Sequence, residues 1–187
     1  MVITPIVNDG RINRSKTTLN KIVAATISLL RKNNNGQIPT AQEIAVKSGV
    51  GIRTVFRHID DMEGLIEEVN RRYLNDLESY IAKNNPKQNS KDQRIEHVIK
   101  ERFYLYNTYQ HVFNLTITSL NNSNAIRTGF IKFNHILRQR FEDLIPEIKM
   151  INKDKQNLID TLISYAAWFR TVSYTHLTLP TKCWVEV

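Results

Sequence analysis

The chain has 187 residues, a formal net charge of +8, 41% hydrophobic residues and only six glycines and five prolines, which fits a folded, helix-rich protein and excludes a disordered one. A single cysteine, Cys183, excludes an internal disulfide framework and any cysteine-cluster metal site. No apolar run is long enough to span a bilayer and the N-terminus lacks the basic-then-apolar pattern of a signal peptide, so a cytoplasmic protein without a membrane partner is expected.

Residues 1–14 contain Pro5 and the turn pair Asp9-Gly10 without sustained periodicity, and predict a flexible arm. Ser15 can cap a first helix, in which Leu19, Ile22, Val23, Thr26, Leu29 and Leu30 keep one apolar stripe to about Lys32. The run Asn33, Asn34, Asn35, Gly36 ends it, because Asn and Gly tolerate a left-handed backbone. Thr40 with Glu43 three residues later is a capping box, so a second helix starts there and closes at Ser48-Gly49.

From Gly51, the residues Ile52, Val55, Phe56 and Ile59 recur at three- and four-residue intervals and predict a buried face, with Arg53, Thr54, Arg57 and His58 on the outer one. A short basic helix held across a glycine turn from a capped partner is the helix-turn-helix arrangement, whose second helix enters the DNA major groove. The three helices make one unit, 15–60, with Ile44, Val50, Ile52, Val55, Phe56 and Ile59 inside. Residues 1–60 hold nine Lys and Arg against three Asp and Glu, a net +6 of the chain's +8. A polyanion partner fits that asymmetry, though charge alone is equally met by a solvated basic surface.

Asp60 or Asp61 caps a fourth helix through Leu65, Ile66, Val69, Tyr73, Leu77, Tyr80 and Ile81 to the loop at Asn84, Asn85 and Pro86. Its length lets it link the N-terminal unit to a helical body, 61–171. Ser90 with Gln93 opens a fifth helix with the stripe Ile95, Val98, Ile99, Phe103, Tyr106 and Tyr109. A shorter helix follows at about 110–120 despite the β-branched run 116–118. Ser123 or Asn124 caps a long helix with Ile126, Phe130, Phe133, Leu137, Phe141, Leu144 and Ile145 on one side, ended by Pro146. A last helix, about 154–171, carries Leu158, Ile159, Leu162, Ile163, Ala166 and Phe169. The expected class is all-α.

Enzyme signatures are thin: no glycine-rich phosphate loop, no G-x-S-x-G and no H-E-x-x-H. Glu96, His97 and Glu101 read better as a solvated helix pair than as a catalytic or metal site. His111 and His135 could donate to a ligand, but a hydrogen-bonded, partly buried histidine is the default. No catalytic residue, cofactor or metal is expected.

The stretch 40–66 resembles the DNA-binding segment of tetracycline-repressor-like (TetR-family) regulators: T-x-x-E-I-A-x-x-x-G-V, a recognition helix, then a new helix at Leu65-Ile66, with RTVFRH-x-x-DM from Arg53 to Met62. Phe56 and Met62 stand where the family usually has Tyr and Lys. The resemblance implies a ligand-responsive repressor that binds double-stranded operator DNA as a homodimer. Carried onto this sequence, Thr40, Gly51, Ile52, Arg53, Thr54, Arg57 and His58 would contact DNA, with Lys16 on the basic first helix and Arg11 and Arg14 of the leader beside it.

The same resemblance puts an unknown small-molecule effector in the helical body, within an aromatic group of Phe103, Tyr106, Tyr109, Phe113, Phe130 and Phe133, with Trp168 and His135. Core packing is the alternative for each of these side chains. Residues 172–187, with the motif SYTHLTLPT, resemble the translation of a sequencing-library adapter. They are expected to be a non-native tail, leaving the dimerisation helices truncated. Against the regulator stands a helical protein-interaction module without promoter-specific DNA binding.

Overall fold

The structure is a computed structural model and describes residues 10–33, 36–58, 62–86 and 90–176, with side chains from Ile12 to Phe169. The described residues are helical with short connections and contain no strand: α1 (Gly10–Asn33), α2 (Ala41–Ser48), α3 (Ile52–His58), α4 (Met62–Lys83), α5 (Lys91–Thr108), α6 (Gln110–Ser119), α7 (Asn124–Leu144), a 3-10 turn (Pro146–Met150) and α8 (Lys153–His176). None of these helices is long and apolar enough to cross a membrane.

Both capping boxes form. The Thr40 hydroxyl accepts from Glu43 N and the Glu43 carboxylate from Thr40 N; Ser90 and Gln93 do the same for α5. Gly49 closes α2 at φ 66°, a left-handed conformation that costs a side-chain-bearing residue about 1 kcal/mol or more. At the start of α7 the Ser123 hydroxyl takes the Ile126 N–H at 3.1 Å, so Ser123 supplies the cap. Pro146 ends α7 and opens the 3-10 turn. The β-branched run in α6 stays helical, Thr116 returning its hydroxyl proton to the Val112 carbonyl at 2.9 Å.

Two boundaries differ from expectation. α1 begins at Gly10, so residues 10–14 are helical, not arm-like; Thr17 and Thr18 donate back to the Asn13 and Arg14 carbonyls at 2.9 Å, which needs helical backbone there. α8 runs past 171 to His176, as no Gly or Pro interrupts it before Pro180. Residues 1–9 and 177–187 of the expected arm and tail, and the cap at Asp60 or Asp61, lie outside the described residues.

The chain divides into two compact units, Met1–Leu77 with His111–Lys132, and Glu78–Gln110 with Phe133–Val187. The division is not at residue 60, since α6 and the start of α7 belong with the N-terminal helices. The core of the first unit holds Ile22, Val23, Thr26, Leu30, Ile44, Val55, Leu65, Ile66, Val69, Tyr73, Phe113 and Leu115. Three polar ties join its distant segments. The Thr118 hydroxyl donates to the Gly36 carbonyl, Glu63 Oε2 accepts from Ala125 N at 2.8 Å, and Asn70 Nδ2 donates to the Ala125 carbonyl at 2.9 Å. Gly36 itself sits at φ 71°, and a Cβ there would lie 2.6 Å from the Asn114 carbonyl oxygen, so both conformation and space demand glycine.

His111 of α6 is also buried in this unit, its Nε2 sharing a 2.7 Å hydrogen bond with the Tyr73 hydroxyl. Burial first, and the Arg31 charge second, depress its pKa to about 4. The folded state therefore stays neutral while the unfolded chain takes up a proton from about pH 6.5 downward, and stability falls as pH drops through that window. Between pH 7 and pH 5 the wild type should lose about 1–2 kcal/mol that a His111→Gln variant keeps, measured by urea unfolding at both pH values. Equal losses would remove His111 from the acid response.

In the second unit α5 packs on α8, and Val98, Phe141, Leu144, Ile145 and Ile148 form a buried cluster with Ile159 and Ile163 against it. The buried face of α5 is rotated from the expected one. It runs Val98, Glu101, Arg102, Leu105, Tyr106, Tyr109, while Ile95 and Ile99 are exposed. Two charged residues thus lie inside. Arg140 Nε and Nη2 each reach the Glu101 carboxylate at 3.2 Å, and Arg140 also donates to the Asn84 carbonyl. Arg102 donates to the Leu137 carbonyl and Asp160, both at 2.8 Å, and to Ser164 at 3.2 Å.

Candidate nucleic-acid interface

The capped α2, the left-handed Gly49 and the two-turn α3 put the expected DNA-contacting residues on the described surface. The Gly51 carbonyl starts α3 by accepting from Thr54 N at 2.8 Å and Val55 N at 3.1 Å. Val55 is fully buried and fixes which side of α3 faces inward. Arg53 and Arg57 lie one turn apart on the opposite side and are exposed; Thr54 and His58 are half-buried beside them. Gly51 is exposed, with open space around its Cα.

One part of the expected buried face is overturned. Phe56 is 61% exposed and Ile52 38% exposed, and Ile59 lies outside the described residues. A helix of only two turns docks along a narrow line, and with about 100° between successive residues Val55 alone occupies it. Val50 is half-buried at the turn.

Thr40 is also more committed than its sequence position suggests. Its N–H donates to Glu43 Oε2 at 2.8 Å, and its hydroxyl donates to the same oxygen at 2.8 Å. Those bonds, the backbone one foremost, hold the Glu43 carboxyl below its ordinary range. Both Thr40 donors thus serve the cap, and a phosphate at this helix end would meet the dipole and the next N–H groups rather than the Thr40 hydroxyl.

The electrostatics of the surface set it apart. Among the described residues, Arg14, Lys16, Lys47, Arg53 and Arg57 have no ion-pair partner, whereas Arg71, Arg94, Arg102, Arg138 and Arg140 are all paired with carboxylates. Lys16 is exposed on α1, in the same unit; the Arg11 side chain lies outside the described residues. Among the described residues, the arginines in ion pairs thus all lie in α4, α5 and α7, while Arg14, Arg53 and Arg57 face solvent.

Of the expected effector residues, Phe113 and Phe130 belong to the first unit, and Phe103, Tyr106, Tyr109, Phe133, His135 and Trp168 to the second. Tyr109 and Phe133 are buried and meet edge-on at 6.0 Å. Tyr106 is buried, which pushes its phenol pKa up against the opposing hydrogen bond to Ser164. Trp168 is half-buried with its ring 6.0 Å from Tyr165. His135 is exposed, because it stands about 200° round α7 from Phe133.

A cavity of about 290 Å³ opens in the second unit, lined by Ile95, Val98, Phe141, Ile145, Ile148 and Ile163, with Lys91 and Glu147 among its polar neighbours. None of the eight expected residues lines it. The outer side of α8 is apolar and exposed at Leu158, Leu162, Tyr165 and Phe169. In comparison with known proteins, the chain matches no family model and has no detectable relative among curated proteins.

Proposed function

We propose that the chain is a TetR-like DNA-binding transcriptional regulator, a repressor whose recognition helix α3 enters the major groove. The observation that carries this reading is the exposed pair Arg53 and Arg57, without ion-pair partners among the described residues, on a short helix anchored by Val55 across a left-handed glycine turn from a capped helix. Guanidinium groups one turn apart suit guanine edges or phosphates, and an uncompensated cationic surface suits a polyanion.

In this reading the natural protein works as a homodimer, for which the apolar outer side of α8 is suitable, and an effector in the helical body shifts α4 so that the two recognition helices no longer match their half-sites. The location is cytoplasmic, and the operator and a small molecule are the partners. Titrating the protein with duplex DNA at several salt concentrations, with sedimentation of the complex, tests it. Specific complexes with two chains per site and a steep negative dependence of log K on log salt are expected. Binding that is absent, or identical for all duplexes, would favour the protein-interaction module.

A further inference from the structure

The exposure of Phe56 leaves a large apolar side chain on a cationic helix face, beside Arg53 and Arg57. About the axis of α3 the buried Val55 marks one pole, and the opposite pole falls between Arg53 and Arg57, about 40° apart. Ile52 and Phe56 form one flank of that outer face, also about 40° apart and one turn from each other; Thr54 and His58 form the other. The flanks differ in chemistry. One offers hydroxyl and imidazole groups, the other only hydrocarbon.

An apolar protein partner on the Ile52–Phe56 flank would have to bury Arg53 beside it without an anion, at the large cost of an unpaired charge in a low dielectric. A DNA major groove has no such conflict. It presents guanine O6 and N7 and phosphates to the guanidinium groups and, within the same few base pairs, the thymine C5-methyl as its apolar feature. A phenyl ring cannot hydrogen-bond to phosphate, so the methyl is the group it can recognise. The spacing fits as well, because side chains at i and i+4 stand about 5–6 Å apart, within reach of two stacked base pairs.

Resting on the DNA-binding reading, we propose that Phe56, with Ile52 beside it, is a specificity-determining contact that reads thymine methyl groups next to the bases or phosphates held by Arg53 and Arg57. Each methyl buried against the ring should contribute about 0.8 kcal/mol, or about fourfold in affinity.

The test starts with a randomised duplex pool enriched on the full chain. The enriched duplex is then resynthesised with deoxyuridine replacing one thymidine at a time, which removes a methyl and nothing else. The wild type should lose about fourfold at one or two thymines of each half-site, and Phe56→Ala should bind the thymine duplex more weakly while losing that sensitivity. The variant should fold, since Phe56 is exposed.

If uracil is tolerated at every position, or if Phe56→Ala is weakened equally on thymine and uracil duplexes, the methyl contact is wrong while DNA recognition stands. If no sequence is enriched over the pool, the DNA reading fails and the methyl contact with it.

Discussion

Glu101→Ala should destabilise the fold by about 3–5 kcal/mol, lowering the melting temperature by about 10 °C or more. Both partners are almost fully buried, Glu101 at 4% and Arg140 at 6% exposure, and the two guanidinium nitrogens reach the carboxylate at 3.2 Å. Removing the carboxylate strands a guanidinium in the interior, where its remaining named hydrogen bond runs to the Asn84 carbonyl. The cost is that of an uncompensated buried charge, larger than the net contribution of the intact pair.

A double replacement, Glu101→Leu with Arg140→Met, separates those two quantities. It should recover most of the loss, because charge and counter-charge leave together and the volume stays filled. Thermal and denaturant unfolding of the three proteins measure the difference. A loss below about 1 kcal/mol for Glu101→Ala would mean that water reaches the pair.

The second large effect concerns DNA. Arg53→Ala and Arg57→Ala should each weaken binding to an enriched duplex by about 1–3 kcal/mol, and the double variant should fall to the level of a scrambled duplex. Stability should change by no more than about 0.5 kcal/mol, since both side chains are exposed and have no ion pair among the described residues. The salt dependence sorts the two roles. An arginine that reads a base relaxes specificity at one position, whereas one that holds a phosphate weakens all sequences and lowers the salt slope by about one. Double-variant binding equal to wild type would take α3 out of the interface.

Local signals were legible. Thr40 with Glu43, Ser90 with Gln93, Gly49 and Pro146 each govern a helix end through groups within a few residues, and the structure has every one of those features. What the sequence could not supply depends on distant partners. Glu101 and Arg102 look like solvated charges until Arg140 and Asp160, 39 and 58 residues away, are known to meet them. Of the stripe Ile95, Val98, Ile99, Phe103, Tyr106 and Tyr109, the structure buries Val98, Tyr106 and Tyr109, but the pairing rotates α5 so that Ile95 and Ile99 are exposed.

Phe56 illustrates the opposite failure. Its spacing from Ile52 and Val55 satisfies a helical stripe, but periodicity measures direction and not the width of what lies behind it. On a helix of seven residues the core covers Val55 only. Among the candidate site residues, the cationic face was readable for a related reason, since charges facing solvent need no distant partner. Which of the aromatic residues fall in which unit was not readable, because unit membership is a property of contacts across the whole chain.

The ties from Thr118 to Gly36 and from Glu63 to Ala125 span 82 and 62 residues. They make the order of synthesis matter. A ribosome that has released only the first 77 residues has not yet supplied Phe113, Leu115, Ala125 or Ile126 to the unit those residues complete. Helices α1–α3 are made early and must wait for α6 and the start of α7 before their core closes. An excised N-terminal fragment would stay in that waiting state, so transplanting this head onto another protein requires taking two separate stretches of the gene.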